Sequence, residues 1–224
     1  MEEKMTYAIL IIISYLLGSI PFAYLLVKFA GKGDIRNVSS GNVGATNAAR
    51  VMGMPGFIAT WVFDMAKVLA AVLLGRWIGG VSFGALCGAI AIAGHIFPIW
   101  LKGMKGGKGV SALFGYMLGL HPVIFVAQGL IWLIVGLPTG YSSLAAWVNW
   151  ILLPIFGFAL DFWTGVICIP LAVLGLWAQR ENIKRFLNGK ESKMQMKTGK
   201  LALALIIAGI LALGLVIAIN VYAI

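Results

Sequence analysis

The sequence predicts an all-α integral membrane protein, built as a bundle of about seven core transmembrane helices with an additional helix at the C-terminal end. Of the 224 residues, 61% are hydrophobic and only 11% are charged, and the mean hydropathy is +0.99. Soluble domains carry roughly 25% charged residues, so the composition excludes that class. Several apolar runs also approach the ~20 residues that a helix needs to cross about 30 Å of hydrocarbon.

The predicted helices end where glycine, proline or charged residues interrupt the apolar pattern. The first is longer than the apolar region of a signal peptide and no small-residue cleavage site follows it, so it is expected to be retained. Pro122 and Pro138 divide the central apolar stretch, because the residue before a proline disfavours the helical conformation. Residues 1–198 form the predicted core and residues 199–224 contain the additional helix. The predicted helices are 5–30, 55–77, 80–101, 110–120, 122–138, 143–159, 161–178 and 200–223.

Glycine recurs at every fourth position in the third predicted helix, at Gly80, Gly84 and Gly88. Small residues at this spacing lie on one face of a helix and allow a neighbouring helix to approach closely. The pattern therefore predicts a packing face rather than a site of chemistry.

Polar islands interrupt the apolar chain at 39–50 (the first island), 94–111 (the second) and 180–191 (the third). The islands and the segments beside them hold most of the 17 Lys and Arg residues. Because basic residues concentrate in short cytoplasmic loops of membrane proteins, all three islands are expected on the cytoplasmic face. The net charge of +10 has the same origin, so nucleic acid is not an expected partner. The basic stretch 190–200 is instead expected to meet the anionic headgroups of membrane lipids.

The second island has the composition of a phosphate-binding loop. Glycines allow several N–H groups to face one anion, and the N-terminus of the helix predicted to begin near Val110 adds the positive end of its dipole. A nucleotide-binding P-loop is disfavoured because the G-x-x-x-x-G-K-[ST] spacing is absent. The alternative interpretation is an ordinary positively charged loop with glycine turns. The glycines and lysines of this loop are Gly103, Lys105, Gly106, Gly107, Lys108 and Gly109.

The first island combines neutral hydrogen-bond donors with glycine turns and one guanidinium group. The planar fork of an arginine suits a phosphate, and hydroxyl and amide groups can complete its coordination. Two loops of this kind predict the binding of two phosphate groups. The alternative is that these residues serve as ordinary turn and N-cap residues. The residues are Ser39, Ser40, Gly41, Asn42, Gly44, Thr46, Asn47 and Arg50.

Ionisable residues also occur within or beside the apolar helices. Asp64 and Lys67 lie three residues apart on one face of the second predicted helix, where they are expected to neutralise each other and support the site, with direct substrate contact as the alternative. His95 lies in the cytoplasmic end of the third predicted helix. No acidic residue follows it at the spacing that would orient a base, since position 100 is Trp. A structural hydrogen bond or a substrate contact is therefore expected from His95, rather than general-base chemistry.

At these positions the chain resembles the integral membrane glycerol-3-phosphate acyltransferases that take their acyl group from acyl phosphate. The matching motifs are G-S/G-G-N-x-G-A-T-N-x-x-R, D-x-x-K, G-H-x-x-P, K-G-G-K-G-V and E-N-I-x-R-x-x-x-G-x-E. They occur in this order at 40–50, 64–67, 94–98, 105–110 and 181–191. The resemblance covers roughly residues 7 to 191.

The resemblance implies a multi-pass enzyme of the cell membrane whose active site faces the cytoplasm. Its implied substrates are glycerol 3-phosphate and acyl phosphate, with the acyl chain in an apolar groove between helices and a functional link to the enzyme that makes acyl phosphate. Neither a cofactor nor a metal is expected. The implied catalytic residues are Ser40, Asn42, Arg50, Lys108 and Asn182. The implied substrate-binding residues are Gly41, Thr46, Asn47, Lys67, His95, Lys105, Gly106, Gly107, Gly109, Ser143 and Arg185, with Asp64 and Glu191 in supporting roles.

The chain departs from the family pattern at particular positions. The family commonly has Arg-Tyr where this chain has Gly140-Tyr141, and Arg-His where it has Ala178-Gln179. Family members of the usual length also end soon after the third island, whereas this chain continues through 200–224. The first two departures leave contacts of the site in question.

The sequence is also compatible with two other functions. A non-catalytic homologue that binds glycerol phosphate or an acylated phosphate lipid would fit the missing Arg and His positions. A phosphate transporter or channel would be expected to show inverted repeats or broken helices with charge near the midplane of both halves. Only Asp64 and Lys67 provide such charge, so the transporter ranks last.

Overall fold

The computed structural model describes residues 2–103 and 105–193, whose regular secondary structure is helical with no strand among them. The predicted all-α class is thereby confirmed. The C-terminal helix predicted at 200–223 lies outside the described residues. A short 3₁₀ turn, Ile35–Asn37, lies in the first loop. The helices are α1 (Glu2–Ser19), α2 (Phe22–Phe29), α3 (Ala45–Ile96), α4 (Val110–Leu120), α5 (Pro122–Thr139), α6 (Ser142–Leu160), α7 (Phe162–Ala178) and α8 (Arg180–Leu187).

The prediction of one helix over 5–30 is wrong, because the chain bends by 42° between α1 and α2. The bend falls at Ile20 and Pro21. Proline has no N–H to donate and pushes the preceding residue out of the helical region, so the hydrogen-bond ladder ends there. The short helix α2 then leads into the loop that carries the first island.

The long element α3 is interrupted where its backbone leaves the helical region, at Gly53 and at Gly79-Gly80. Gly53 has φ 69° and Gly80 has φ 75°, values that only glycine adopts without strain. The helical stretches 54–78 and 81–96 pack against each other, since a Cβ added to Gly75 would lie 2.9 Å from the Cβ of Cys87. The second stretch ends at Ile96, earlier than the predicted residue 101.

The predicted glycine face is confirmed at two of its three positions. A Cβ at Gly84 would lie 2.8 Å from the carbonyl oxygen of Val72, and one at Gly88 would lie 2.6 Å from the ring of Tyr116. Gly80 forms the turn instead, with open space around it. The spacing correctly predicts the packing face at Gly84 and Gly88, but the helix breaks at Gly79-Gly80, so Gly80 lies in the turn.

Within the described residues, α3, α5 and α6 are long and apolar enough to cross a membrane, and each bent pair, α1 with α2 and α7 with α8, has the length of a further span. Large apolar side chains point outward along these helices, as expected beside lipid. Examples are Ile12, Trp77, Ile155 and Trp163.

Polar contacts hold together the end of the bundle opposite the islands. Arg76 Nη1 donates to the carbonyl oxygens of Gly119 and Leu120 at 2.6 and 2.8 Å, which are among the last carbonyls of α4. Asp161 accepts a hydrogen bond from Ser82 Oγ at 2.7 Å and so joins the turn before α7 to the Gly79-Gly80 break. α4 has 11 residues and is about 16 Å long, which is about half of the roughly 30 Å of hydrocarbon that a spanning helix crosses.

The core lies between α3, α4, α6 and α7, and its largest fully buried side chain is Trp150. A Cβ at Gly109 would lie 3.0 Å from Trp150 Cζ2, and one at Gly175 would overlap the same indole. Close packing of this kind stabilises helix association in lipid, where burial of apolar surface adds little. The indole therefore supports the start of α4, where the second island ends.

Candidate active site

Hydrogen bonds join the second island to the third. Lys108 Nζ donates to Asn182 Oδ1, and Asn182 Nδ2 donates to Glu191 Oε1 at 3.0 Å. The other carboxylate oxygen of Glu191 accepts from Arg185 Nε at 2.8 Å. The Glu191 side chain is only 7% exposed, so a nearly buried carboxylate holds both the amide and the guanidinium in place.

The environment of Lys108 lowers its pKa to about 8, chiefly through burial and then through repulsion from Arg185. Attraction to Glu191 and Glu181 opposes these effects, and Arg50 adds further repulsion. Arg50 belongs to the first island, which packs against the second through the buried cluster that holds Val43, Ala48 and Leu101. The result is a concentration of positive charge that suits an anion.

The glycine loop is pinned to the end of α3. Gly106 N donates to the Ile96 oxygen at 3.0 Å and Gly107 N donates to the His95 oxygen at 3.1 Å. A Cβ at Gly106 would overlap the His95 carbonyl, and one at Gly107 would overlap the His95 imidazole. Glycine is therefore required at both positions by close approach, whereas the sequence interpretation assigned their N–H groups to an anion. Those two N–H groups are already used.

The N–H groups that remain for an anion lie at the start of α4. Gly109, in the left-handed conformation with φ 75°, is the N-cap of this helix and offers no side-chain cap. The N–H groups of Val110, Ser111 and Ala112 have no acceptor within residues 2–103 and 105–193. The first N–H groups of a helix and the positive end of its dipole together favour an anion.

The first island is shaped by a buried amide. Asn47 Nδ2 donates to the carbonyl oxygens of Ile35 and Val38 at 3.1 and 3.0 Å, and the side chain is almost completely buried. Asn47 thus holds the loop in shape and does not face the solvent. Asp34 accepts from the backbone N and the guanidinium of Arg36, and these bonds lower the pKa of Asp34.

The polar residues on the outer side of the first island are accessible. Ser40, Thr46 and Arg50 are exposed and Asn42 is half-buried, with Asn42 N 3.4 Å from Ser40 Oγ. Gly41 has φ 66°, which bends the chain between Ser40 and Asn42. These hydroxyl, amide and guanidinium groups lie at or near the surface of the described part of the chain, where a ligand can reach them.

Asp64, Lys67 and His95 form a network beneath the glycine loop, with side chains that are 2%, 3% and 5% exposed. Lys67 Nζ lies 2.9 Å from Asp64 Oδ1 and donates to the Ile20 oxygen at 2.7 Å. His95 Nδ1 lies 3.5 Å from the same Asp64 oxygen. The acidic partner of His95 escaped the sequence interpretation because it is brought near by the helical hairpin of α3 rather than by local spacing.

The residues at the departures from the family pattern lie where α6 and α8 meet. Phe186 packs edge-on against Tyr141, with ring centroids 5.1 Å apart. Ser143 and Gln179 are buried, and neither Ser143 Oγ nor Gln179 Nε2 has a partner among the described residues. The side chain of Lys193 covers Gly140, with its Cδ 3.6 Å from where a Cβ would lie.

Lys193 was missed by the sequence interpretation as a neighbour of the site. Its ammonium lies 5.5 Å from the ring centroid of Tyr141, so a cation is present beside Gly140. No local signal links residues 140 and 193, since the contact depends on how the chain after α8 folds back over α6.

An apolar groove of about 330 Å³ runs between α4 and α5. Phe114, which lies about one turn into α4, contributes to its lining. The part of the chain that the structure describes contains no group of three or more His, Cys, Asp or Glu side chains placed to hold a metal. The groove is lined by Phe114, Phe125, Val126, Gly129, Leu130, Trp132 and Leu133.

Apolar helices with a fixed basic cluster and an open helix N-terminus at one end define a helical membrane protein with a site suited to an anion. Comparison with known proteins identifies the family. The family model for glycerol-3-phosphate acyltransferase matches residues 8–189. This chain therefore belongs to the glycerol-3-phosphate acyltransferase family, which confirms the resemblance seen in the motifs.

Relatives and solved structures agree with this assignment. The glycerol-3-phosphate acyltransferase of Agrobacterium fabrum is 41% identical over 191 residues, which is 85% of this chain and 93% of the relative. That of Bradyrhizobium diazoefficiens is 40% identical over 192 residues, covering 84% and 94%.

The crystal structure of PlsY, an integral membrane glycerol 3-phosphate acyltransferase, in its glycerol 3-phosphate form matches with a TM-score of 0.79 and 32% identity, covering 89% of this chain and 98% of that one. The lysophosphatidic acid form matches with a TM-score of 0.76 and 32% identity, covering 84% and 95%. The chain is thus an integral membrane acyltransferase.

Proposed function

We propose that this protein transfers a fatty acyl group from acyl phosphate to the sn-1 hydroxyl of glycerol 3-phosphate, giving 1-acyl-glycerol 3-phosphate and phosphate. The observation that carries the proposal is the hydrogen-bonded cluster of Lys108, Asn182, Arg185 and Glu191, which joins the second and third islands. Two phosphate-bearing substrates repel each other, and such a concentration of cations offsets that repulsion. The product is the first intermediate of phospholipid synthesis.

The reaction needs orientation and charge more than a dedicated nucleophile. The hydroxyl oxygen of glycerol 3-phosphate attacks the acyl carbon and forms the new ester bond, while the bond from that carbon to the phosphate oxygen breaks. The departing phosphate takes the electron pair and accepts the hydroxyl proton, since its second pKa is about 6. Holding the two groups together supplies most of the remaining acceleration.

The described contacts suggest a division of work. Lys108 and the open N-terminus of α4 bind one phosphate, while Ser40, Asn42 and Arg50 bind the other on the outer side of the first island. Asn182 and Glu191 hold Lys108 and Arg185 at fixed positions. A preorganised charge of this kind stabilises the transition state without reorganising during the reaction.

The remaining parts of the proposal concern membrane and donor. The apolar groove between α4 and α5 accepts the acyl chain, because one of its lining residues, Phe114, lies about one turn from the α4 N-terminus. The islands lie on the cytoplasmic face of the cell membrane, in keeping with their basic charge. Acyl phosphate is a reactive mixed anhydride, so a functional link to the enzyme that makes it is expected.

The test is a direct assay of purified protein in lipid, given acyl phosphate and radiolabelled glycerol 3-phosphate. Acyl-CoA and acyl carrier protein serve as alternative donors. Lysophosphatidate formed from acyl phosphate alone supports the proposal. If no donor yields lysophosphatidate, the protein is a non-catalytic binder; product from another donor alone would contradict the choice of acyl phosphate.

Lys108→Ala is expected to reduce kcat/KM at least about 100-fold, the loss typical of removing a group that stabilises developing charge. The variant should fold, because the Lys108 side chain is only partly buried. Lys102→Ala is the matched control, since Lys102 is an exposed lysine of the same loop. Equal activities of the two variants would show that the second island is an ordinary basic loop.

A further inference from the structure

The network of Asp64, Lys67 and His95 connects the supports of the first and second islands. We propose that these three are positioning residues which set the first and second islands relative to each other, so that the two phosphate groups meet in register. The inference rests on the proposed function. It differs from the direct substrate contact considered for Lys67 and His95, because both side chains are enclosed by protein.

One arm of the network fixes the bend between α1 and α2. The ammonium of Lys67 donates to the Ile20 oxygen at 2.7 Å, and it lies 5.7 Å from the ring centroid of Phe22. Phe22 in turn stacks on Phe63 of α3 at 5.0 Å. Since α2 leads directly into the first loop, the direction of α2, and with it the first island, depends on this contact.

The other arm fixes the glycine loop. Asp64 Oδ1 lies 3.5 Å from His95 Nδ1, and the imidazole fills the space where a Cβ of Gly107 would lie. The His95 carbonyl oxygen accepts from Gly107 N at 3.1 Å. The orientation of the imidazole therefore limits where Gly107, and the adjacent Lys108, can lie.

Asp64 Oδ1 is the atom shared by both arms, because it contacts Lys67 and His95. A shift in one arm is therefore transmitted to the other through Asp64. A buried ion pair adds little to stability and can often be replaced by apolar residues of similar size, whereas an error of about 1 Å in the placement of reacting groups can cost about 100-fold in rate. Positioning and stability can therefore be separated by experiment.

Two double variants remove both charges together, so that no buried charge is left alone. Asp64→Leu with Lys67→Met removes both arms. Asp64→Asn with Lys67→Met keeps an acceptor for His95 and removes only the arm that runs through Lys67 to Ile20. The control is Ser82→Ala, which removes a part-buried polar contact of 2.7 Å at the opposite end of the bundle.

The expected result is a fall in kcat of about 100-fold for the Leu double variant, a smaller fall for the Asn double variant, and none for Ser82→Ala. KM for both substrates should stay within about threefold of the parent, since no substrate contact is lost. Hydrogen exchange gives a readout besides activity: the N–H groups of Gly106 and Gly107 should exchange faster in the Leu double variant than in the Asn double variant.

The inference is overturned if both double variants fold, turn over within about threefold of the parent and show parental exchange in 103–109. A tenfold rise in KM for one substrate at unchanged kcat would instead indicate direct contact by Lys67.

If neither double variant folds, Lys67→Arg is the deciding variant, because it keeps the ion pair but changes the reach to Ile20. A parental kcat in that variant contradicts the inference. An inactive parent would overturn the proposed function and this inference with it, whereas an active parent with unaffected variants overturns only the inference.

Discussion

Burial and neighbouring charges act in opposite directions on the charge state of Lys108. Burial and the guanidinium groups of Arg185 and Arg50 disfavour its ammonium form, while Glu191 favours it. Its donation to Asn182 fixes the direction in which the charge points. A lysine held in this way is partly stripped of water before the substrate arrives, so a phosphate that binds it gains a strong interaction.

The pH dependence of activity should report this lysine. With a pKa of about 8, Lys108 is protonated at pH 7 and loses its charge as the pH rises through about 8. The value of kcat/KM, measured from pH 6 to 9.5, is therefore expected to fall on the alkaline side with an apparent pKa near 8.

Lys108→Arg is the control for this profile, because a guanidinium stays charged throughout the measured pH range. Its rate should be lower because of the changed geometry, but its alkaline decline should disappear. An identical decline in both proteins would assign the titration to another group.

Among the helices, α4 has two ends with different kinds of polar group available for contact. Its N-terminus offers N–H groups to an anion, while the carbonyl groups of Gly119 and Leu120 near its C-terminal end accept from Arg76. The cation at that end complements the helix dipole. Because the helix has only 11 residues, anchoring its end also fixes the depth of its start.

Arg76→Ala is expected to destabilise the protein by about 2 kcal/mol, since two hydrogen bonds from a charged donor are lost and two carbonyl groups are left without it. Thermal unfolding in detergent or lipid measures the loss as a lower Tm. Arg76→Lys keeps the charge but only one direction of donation, so it should fall between the parent and Arg76→Ala. A Tm unchanged in both variants would show that the contact contributes nothing to stability.

The individual helices also show how much of the fold can be predicted from local sequence pattern. The helices α4 to α7 could be predicted within about two residues, because prolines and polar turns mark their ends. The bend at Pro21 was missed, since a proline in an apolar run looks the same whether it kinks a helix or divides it. Gly80 was assigned to a face when it forms a turn, because spacing alone does not reveal φ.

At the scale of the whole molecule, the bundle separates its two ends by chemistry. One end holds the islands, and the other holds the contacts of Arg76 and Asp161. Cys87 and Cys168 are both fully buried, so introduced cysteines can be labelled without interference from the native thiols. The side of the membrane that each end faces can be tested directly.

Lys102→Cys and Phe162→Cys place a thiol at the island end and at the opposite end, at residues that are exposed in the structure. An impermeant maleimide should label Cys at position 102 only in inside-out vesicles, and at position 162 only in right-side-out vesicles, because the basic loops are expected in the cytoplasm. Labelling with the opposite pattern would reverse the proposed orientation.

The sequence by itself determined the membrane class, most helix boundaries and the residue types of the site, because apolar length, proline, glycine and charge act locally along the chain. Only the tertiary structure decided which of these residues meet. It brought Lys108 to Asn182, placed Asp64 beside His95 and laid Lys193 over Gly140. It also turned the N–H groups of Gly106 and Gly107 inward. These contacts join residues distant in the chain, and they depend on how helices bend and pack, which no local spacing specifies.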